Sequence, residues 1–379
     1  MQSVLHHKAQ SELERLHEKG KESHVVSFCC SSTMHQKREN TARRRGADSQ
    51  SDQSQLQAAL KTFRQALAKA EADADYAAQV DILKRIGLIH CKLGEYAWGI
   101  KRLEQGLRFA KALRDRANVG DLLNYLGAAY YQTGQDRKAL RVYLQALSIF
   151  TDTNNQVSLA RIFQRLGQIY NSLGELERSL MCCRQALKMC QKLGNWPDGE
   201  STALHSIGEA HLQLERPRPA IAFFEQALAI CRKVGNRNSE ATILESIGTA
   251  YVKLNPALRA LESYQQALEM RREVGDPIGE ARNLNCIGAV YYKLGRHSRA
   301  LWYHVQALGI LQAVNQAAST EKLLHNMVPV YERLGLPDLG VKCYQEALEI
   351  VKTFGDRPSQ EAILNYCDEE DDRELDDED

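Results

Sequence analysis

The feature that most constrains this chain is a glycine that returns every forty residues. Arg85-Ile86-Gly87, Tyr125-Leu126-Gly127, Arg165-Leu166-Gly167, Ser206-Ile207-Gly208, Ser246-Ile247-Gly248 and Cys286-Ile287-Gly288 align, with glycines 40, 40, 41, 40 and 40 residues apart. The next position in register is Val328, in a seventh copy without the glycine. A second ladder keeps step with the first: Ala66-Leu67, Gly106-Leu107, Ala146-Leu147, Ala186-Leu187, Ala227-Leu228, Ala267-Leu268, Ala307-Leu308 and Ala347-Leu348. A period of this length belongs to arrays in which each unit buries its apolar face only against its neighbours.

Each unit reads as two helices. In one copy Leu284, Ile287, Tyr291 and Leu294 recur three to four apart, Gly295 follows, and Ala300, Tyr303, Ala307 and Leu308 start a second stripe. The repeat glycine lets the partner helix approach closely, at a propensity cost of about 1 kcal/mol. A small residue also recurs in the second helix: Gly99, Ala139, Ser179, Ala220, Ala260, Ala300 and Gly340. Tyr130, Tyr170, Tyr251, Tyr291 and Tyr331 share one site, where His90 and His211 are the exceptions; all are expected to fill the core. The turn glycine of Leu93-Gly94 and Leu173-Gly174 is replaced by Glu215 and Asn255 in two copies. Asparagine adopts the left-handed conformation more readily than glutamate.

The rest of the composition removes alternatives. At 44% hydrophobic and 26% charged, the chain is neither a disordered nor a membrane sequence in bulk. No apolar run approaches the ~18 residues of a spanning helix, and the amino-terminal region lacks a signal-peptide pattern. The ten cysteines include no C-x-x-C, so they read as reduced thiols of a cytoplasmic protein rather than as a disulfide or zinc framework. No phosphate-loop, H-E-x-x-H or G-x-S-x-G motif is present, and no catalytic residue, metal ligand or cofactor site is expected. The pair His205 and Glu209 lies four apart without a nucleophile beside it. The basic cluster Lys37, Arg38 and Arg43–Arg45 lacks interleaved aromatics, so nucleic acid is not the expected partner, and neither is a membrane nor a small-molecule substrate.

Small–aromatic–small–aromatic–Ala order on a helical hairpin resembles the tetratricopeptide repeat (TPR). The units here are longer than the usual ~34 residues, with turns at Gly194-Asn195, Gly235-Asn236, Gly275-Asp276 and Gly355-Asp356. That long form is similar to the repeats of Pins/LGN scaffolds, of kinesin light chain, and of bacterial and cyanobacterial arrays with L-N-x-[IL]-G-x-x-Y, seen at Leu123-Asn124 and Leu284-Asn285. The resemblance implies an all-α, right-handed α-solenoid of about seven stacked hairpins. It also implies a concave groove, lined by the first helices, that binds another protein or peptide. Family positions three before, one after and four after the repeat glycine point into that groove. The candidates are Lys84, Asn124, Gln164, His205, Glu245, Asn285 and His325 in the first row. Gln168, Glu209 and Thr249 stand in the second, and Tyr131, Asn171, Tyr292 and Glu332 in the third. The tyrosines are anchors of the kind that dominate interfaces. A chaperone-tail carboxylate clamp is not expected, because Leu88 and Tyr125 stand where it needs asparagines. LGN-type recognition is not expected either, since Asn326 alone supplies its asparagine two before the glycine. The expected role is an adaptor or assembly scaffold, with a peptide-sensing regulator as the alternative.

The ends differ from the middle. Residues 1–54 are expected to be a flexible basic segment, 55–367 the array with a partial first unit and a cap helix from Pro358 to Cys367, and 368–379 an acidic disordered tail. Residues 1–46 carry a net charge of +4 and 367–379 carry −9, against +6 for the remainder. The tail is a candidate intramolecular competitor for an acidic ligand. The pattern Leu5–Leu16 suits a fold-back cap, while Met34 suits a true start after a leader without function.

Overall fold

The computed structural model describes residues 54–314 and 316–354. The expected amino-terminal cap, the Pro358–Cys367 cap helix and the acidic tail lie outside these residues. Fifteen consecutive helices, and no strand, occupy the described chain. They are α1 (54–72), α2 (Tyr76–Lys92), α3 (Tyr96–Ala112), α4 (Arg116–Gln132), α5 (Asp136–Asp152), α6 (Gln156–Ser172), α7 (Leu176–Leu193) and α8 (Pro197–Gln213). There follow α9 (Pro217–Val234), α10 (Arg237–Leu254), α11 (Ala257–Val274), α12 (Pro277–Lys293), α13 (His297–Ala313), α14 (Ala317–Arg333) and α15 (Pro337–Phe354). The chain falls into two compact bodies, divided after Glu215. The first contains α1–α8 and the second α9–α15, and each is built of antiparallel helix pairs stacked on their neighbours.

Local chemistry sets the boundaries. Asp75, Asp115, Asn155, Asn236 and Asp276 precede α2, α4, α6, α10 and α12, and each side chain accepts the backbone N–H three residues on, at 2.9–3.2 Å. Such caps satisfy a donor that the helix leaves orphaned, worth about 1 kcal/mol. The turn at 73–75, closed by the Asp75 cap, separates α1 from α2. At the hairpin turns Glu215 and Asn255 both adopt positive φ, 56° and 76°, so the tight turn overrides the reluctance of glutamate.

At Gly87, Gly127, Gly167, Gly248 and Gly288 the first-helix glycine receives the side chain sixteen residues later. A Cβ at Gly87 would lie 2.6 Å from Leu103, at Gly127 2.7 Å from the Tyr143 ring, at Gly248 2.7 Å from Tyr264, and at Gly288 2.7 Å from His304. The small residue twelve positions on lies against the same backbone, and Ser179 donates its hydroxyl to the Gly167 carbonyl at 2.8 Å. In the last hairpin the pairing is inverted. Val328 is buried, and Gly340 on α15 leaves it room. Gly106, by contrast, occupies an alanine position, and a Cβ there meets Leu83 at an ordinary 3.4 Å. Gly248→Ala is therefore expected to lower stability by about 2 kcal/mol, because a rigid ring must move and helix propensity returns only about 1. Gly106→Ala is expected to raise stability by about 0.5–1 kcal/mol. Urea denaturation of both variants checks the contrast, and equal effects would refute the packing account.

The core consists of aliphatic layers within each body. Leu83, Leu122, Ile162 and Leu166 are buried in the first, and Leu284, Ile287, Leu301 and Leu324 in the second. The repeated tyrosines depart from expectation. Tyr331, His90 and His211 are buried, but Tyr130, Tyr170, Tyr251 and Tyr291 are only half-buried at the hairpin edge. Each has a cation above its ring from eight residues on: Lys138 at 5.6 Å, Arg178 at 5.8 Å, Arg259 at 5.7 Å and Arg299 at 5.9 Å. Such pairs contribute about 0.5–1 kcal/mol at exposed sites. Where histidine replaces tyrosine, the residue eight on is Trp98 or Pro219, and the cation is gone. His90 instead meets Glu95 at 2.5 Å.

Candidate functional site

First helices of successive hairpins touch directly: α2 with α4 and α6 with α8 in the first body, and α12 with α14 in the second. The fourteen candidates stand on the first helices of the two bodies. All are half-buried except Gln164, which is buried, and Glu332, which is exposed.

The row three before the glycine acts largely as stitching between hairpins. Lys84 donates to Asn118 at 2.5 Å and stands 3.8 Å from Asp121, both on the next first helix. Gln164 donates to the Gly199 carbonyl at 2.6 Å. Glu245 pairs with Arg282 at 2.9 Å, and Asn285 accepts from Asn326 at 3.0 Å. Their hydrogen-bonding capacity is spent on the neighbouring repeat. Burial raises the Glu245 pKa despite Arg282, so this pair is held in a poorly solvated place. His325 turns back on its own helix, to the Glu321 carbonyl at 3.1 Å and carboxylate at 3.2 Å. Thr249 lies 3.1 Å from the Glu245 carbonyl and 3.0 Å from the Tyr264 hydroxyl. Tyr292 packs its ring 5.3 Å from His297.

The first body keeps more in reserve. Asn124 and Tyr131 on α4 have no hydrogen-bond partner among the described residues. The Asn171 Oδ1 on α6 is buried and unbonded. Burial raises the Tyr131 pKa, with smaller contributions from the charges of Asp136 and Glu209 and an opposing one from Arg165. Arg165 donates to Gln168 at 3.0 Å. His205 sits 3.8 Å from Glu209 and is held below its usual pKa by burial, which outweighs the nearby carboxylate. Arg165 was not among the candidates. It belongs to the row two before the glycine, where Arg85 also stands, and that recurrence was the available signal.

Among the described residues no cluster of histidine, cysteine, aspartate and glutamate has metal-binding geometry, and no helix is long and apolar enough to cross a membrane.

Antiparallel helix pairs stacked at a period of about forty residues, with a glycine under most of the crossings, define an all-α repeat solenoid. The chain belongs to the tetratricopeptide repeat family, whose model matches residues 76–152, 158–233 and 237–313. No curated protein matches its sequence. Among solved structures, the aspartyl phosphate phosphatase F of Bacillus subtilis superposes with a TM-score of 0.60 at 15% identity, over 74% of this chain and 72% of its own. A Rap protein complexed with competence and sporulation factor gives 0.57 at 17%, over 76% and 79%. The Rap conjugation gene regulator of the plasmid pLS20, in complex with the Phr* peptide, gives 0.54 at 15%, over 76% and 80%. At these identities the likeness is one of fold.

Proposed function

We propose that this chain is a cytoplasmic scaffold, not an enzyme, that takes an extended peptide or protein segment on the first-helix face of its first body. One observation carries the reading. Asn124, Tyr131 and Asn171 are half-buried there with hydrogen-bonding capacity unused among the described residues, while the second body pairs most of its equivalent groups internally. An unsatisfied buried carbonyl costs about 1–3 kcal/mol, which a ligand N–H recovers on binding. The charges of Arg165 and Glu209 both act on the tyrosine, with opposite sign, and would orient the segment.

A second reading, a peptide-sensing regulator, draws on the likeness to the Rap protein with competence and sporulation factor and to the pLS20 regulator with the Phr* peptide. Both readings place a peptide on the array, and they differ in whether the array changes shape when it binds.

The test pans a displayed library of twelve-residue peptides on the full chain and measures the enriched peptides by fluorescence anisotropy. Asn124→Ala/Tyr131→Ala is expected to weaken binding about 30-fold, since a tyrosine anchor is worth about 2 kcal/mol. Asn285→Ala/Tyr292→Ala is expected to change it less than threefold. The reverse pattern would move the site to the second body. Scattering of the same complex separates a static scaffold from a sensor that compacts.

A further inference from the structure

The described array begins on a second helix. In register with α3, α5, α7, α9, α11 and α13, α1 places Ala59, Phe63 and Ala66 where those helices meet the first helix of their own hairpin. Every equivalent of these three residues on the six other helices is buried, Leu103, Tyr143, Phe224 and His304 among them. On α1 all three are half-buried, because no first helix precedes it among the described residues. Arg85 of α2 lies on that open side, 5.7 Å over the Phe63 ring, and has no ion pair among the described residues. The residues just before α1 do not match a first helix. In register they put Asn40, Arg43 and Gly46 where Val80, Leu83 and Ile86 are buried on α2.

A first-helix sequence follows α15 instead. Asp356 stands at the capping position of Asp75, Asp115 and Asp276, and Ile363, Leu364 and Cys367 stand at the core positions of Leu122, Leu123 and Leu126. A first helix has two separable sides. At Gly106 on α3, a Cβ would meet Leu83 of the first helix before it at 3.4 Å and Leu122 of the first helix after it at 3.5 Å. Ile363 has the register of Leu122, the side turned to the preceding second helix, here α15. Leu364 has the register of Leu83, the side turned to a following second helix.

We propose that Asp356–Cys367 of one copy of this chain packs on α1 of a second copy and completes a hairpin between them. Leu364 then lies on Ala66, as Leu83 lies on Gly106. Asn365 falls in the row of Asn285, whose partner Asn326 has the register of Arg85, so the amide of one copy comes opposite the arginine of the other. The acidic run Asp368–Asp372 follows at once and supplies carboxylates for the same cation. Donor and acceptor sit on different ends of the chain, so the contact is heterologous and propagates head to tail unless it closes on itself.

Sedimentation velocity of the full chain tests this. The wild type is expected to grow in mass between about 1 and 200 μM, the range of a modest interface. Leu364→Glu spoils the donor end and Phe63→Glu the acceptor end, and each variant alone is expected to remain monomeric. Mixed one to one, the intact α1 of the first and the intact carboxy-terminal segment of the second are expected to form a dimer that grows no further. A local loss of structure at either substituted site leaves this outcome unchanged, because each variant contributes its other end. A variant that associates like the wild type, or a mixture that forms no dimer, would overturn the proposal. So would a wild type that stays monomeric, which would leave α1 to a segment of its own chain such as Leu5–Leu16.

Discussion

Tyr143→Ala is expected to destabilise the first body by about 4 kcal/mol, and Tyr143→Phe to stabilise it by about 1 kcal/mol. The ring is fully buried and lies in the notch above Gly127, where even a Cβ would be 2.7 Å away. Removing it opens a cavity between two helices that crossed closely to grip it, and the glycine has no side chain with which to fill the space. The hydroxyl is a separate matter. Its oxygen is buried without a hydrogen-bond partner among the described residues, and burial pushes its pKa up to about 12. Deleting that one oxygen removes a desolvated polar atom and keeps the ring contacts. Repeat arrays open locally, so amide hydrogen exchange along α4 and α5 is the suitable measurement. If phenylalanine proves as costly as a cavity, the hydroxyl is satisfied in solution and this account of it fails.

His304→Phe is expected to abolish an acid sensitivity of the second body. His304 fills the slot above Gly288 that tyrosine fills above Gly248, is fully buried, and has an unpartnered Nδ1. Burial lowers its pKa from 6.5 to about 4, so the folded state keeps the neutral ring. The unfolded chain takes up the proton first as pH falls. Stability is therefore complete above about 6.5, declines through the window down to about 4, and is flat below it. The loss is on the order of 3 kcal/mol in full and about 2 kcal/mol by pH 5. Phenylalanine cannot titrate and leaves no orphan nitrogen. Exchange protection of α12 and α13 at pH 7.5 and pH 5.0 should fall in the wild type and hold in the variant. Equal losses in both would show that another group carries the sensitivity.

The hairpins were legible in the sequence because their packing partners are close in the chain. A glycine, the small residue twelve on and the side chain sixteen on belong to one hairpin, so the forty-residue ladder displays the whole arrangement. The sixteen-on ladder of Leu103, Tyr143, Cys183, Tyr264 and His304 went unread, and with it the misfit histidine. The three rows fall on the first helices, which the forty-residue ladder had already located. What the rows do was not legible in it. Whether Lys84, Gln164, Glu245 or Asn285 is free depends on residues 34 to 41 positions away, on the next hairpin. Periodicity within a unit holds no record of that. The edge tyrosines were misplaced because an aromatic at a repeated position looks like core until the cation eight residues later is seen to cover it.

The coupling of those tyrosines to their cations has a consequence for how such an array can change over time. A cassette of forty residues can be duplicated intact, because ring and charge travel together. A drifting copy is less free. Tyrosine to histidine beneath a retained arginine gives up the electron-rich ring that held the cation. Loss of the cation first bares a ring at the hairpin edge. The two copies that made the exchange, at His90 with Trp98 and at His211 with Pro219, changed both members, while the last copy keeps Tyr331 with Leu339 and buries the ring instead. Anyone grafting hairpins from this chain into another array should therefore treat the positions eight apart as one letter of the alphabet rather than two.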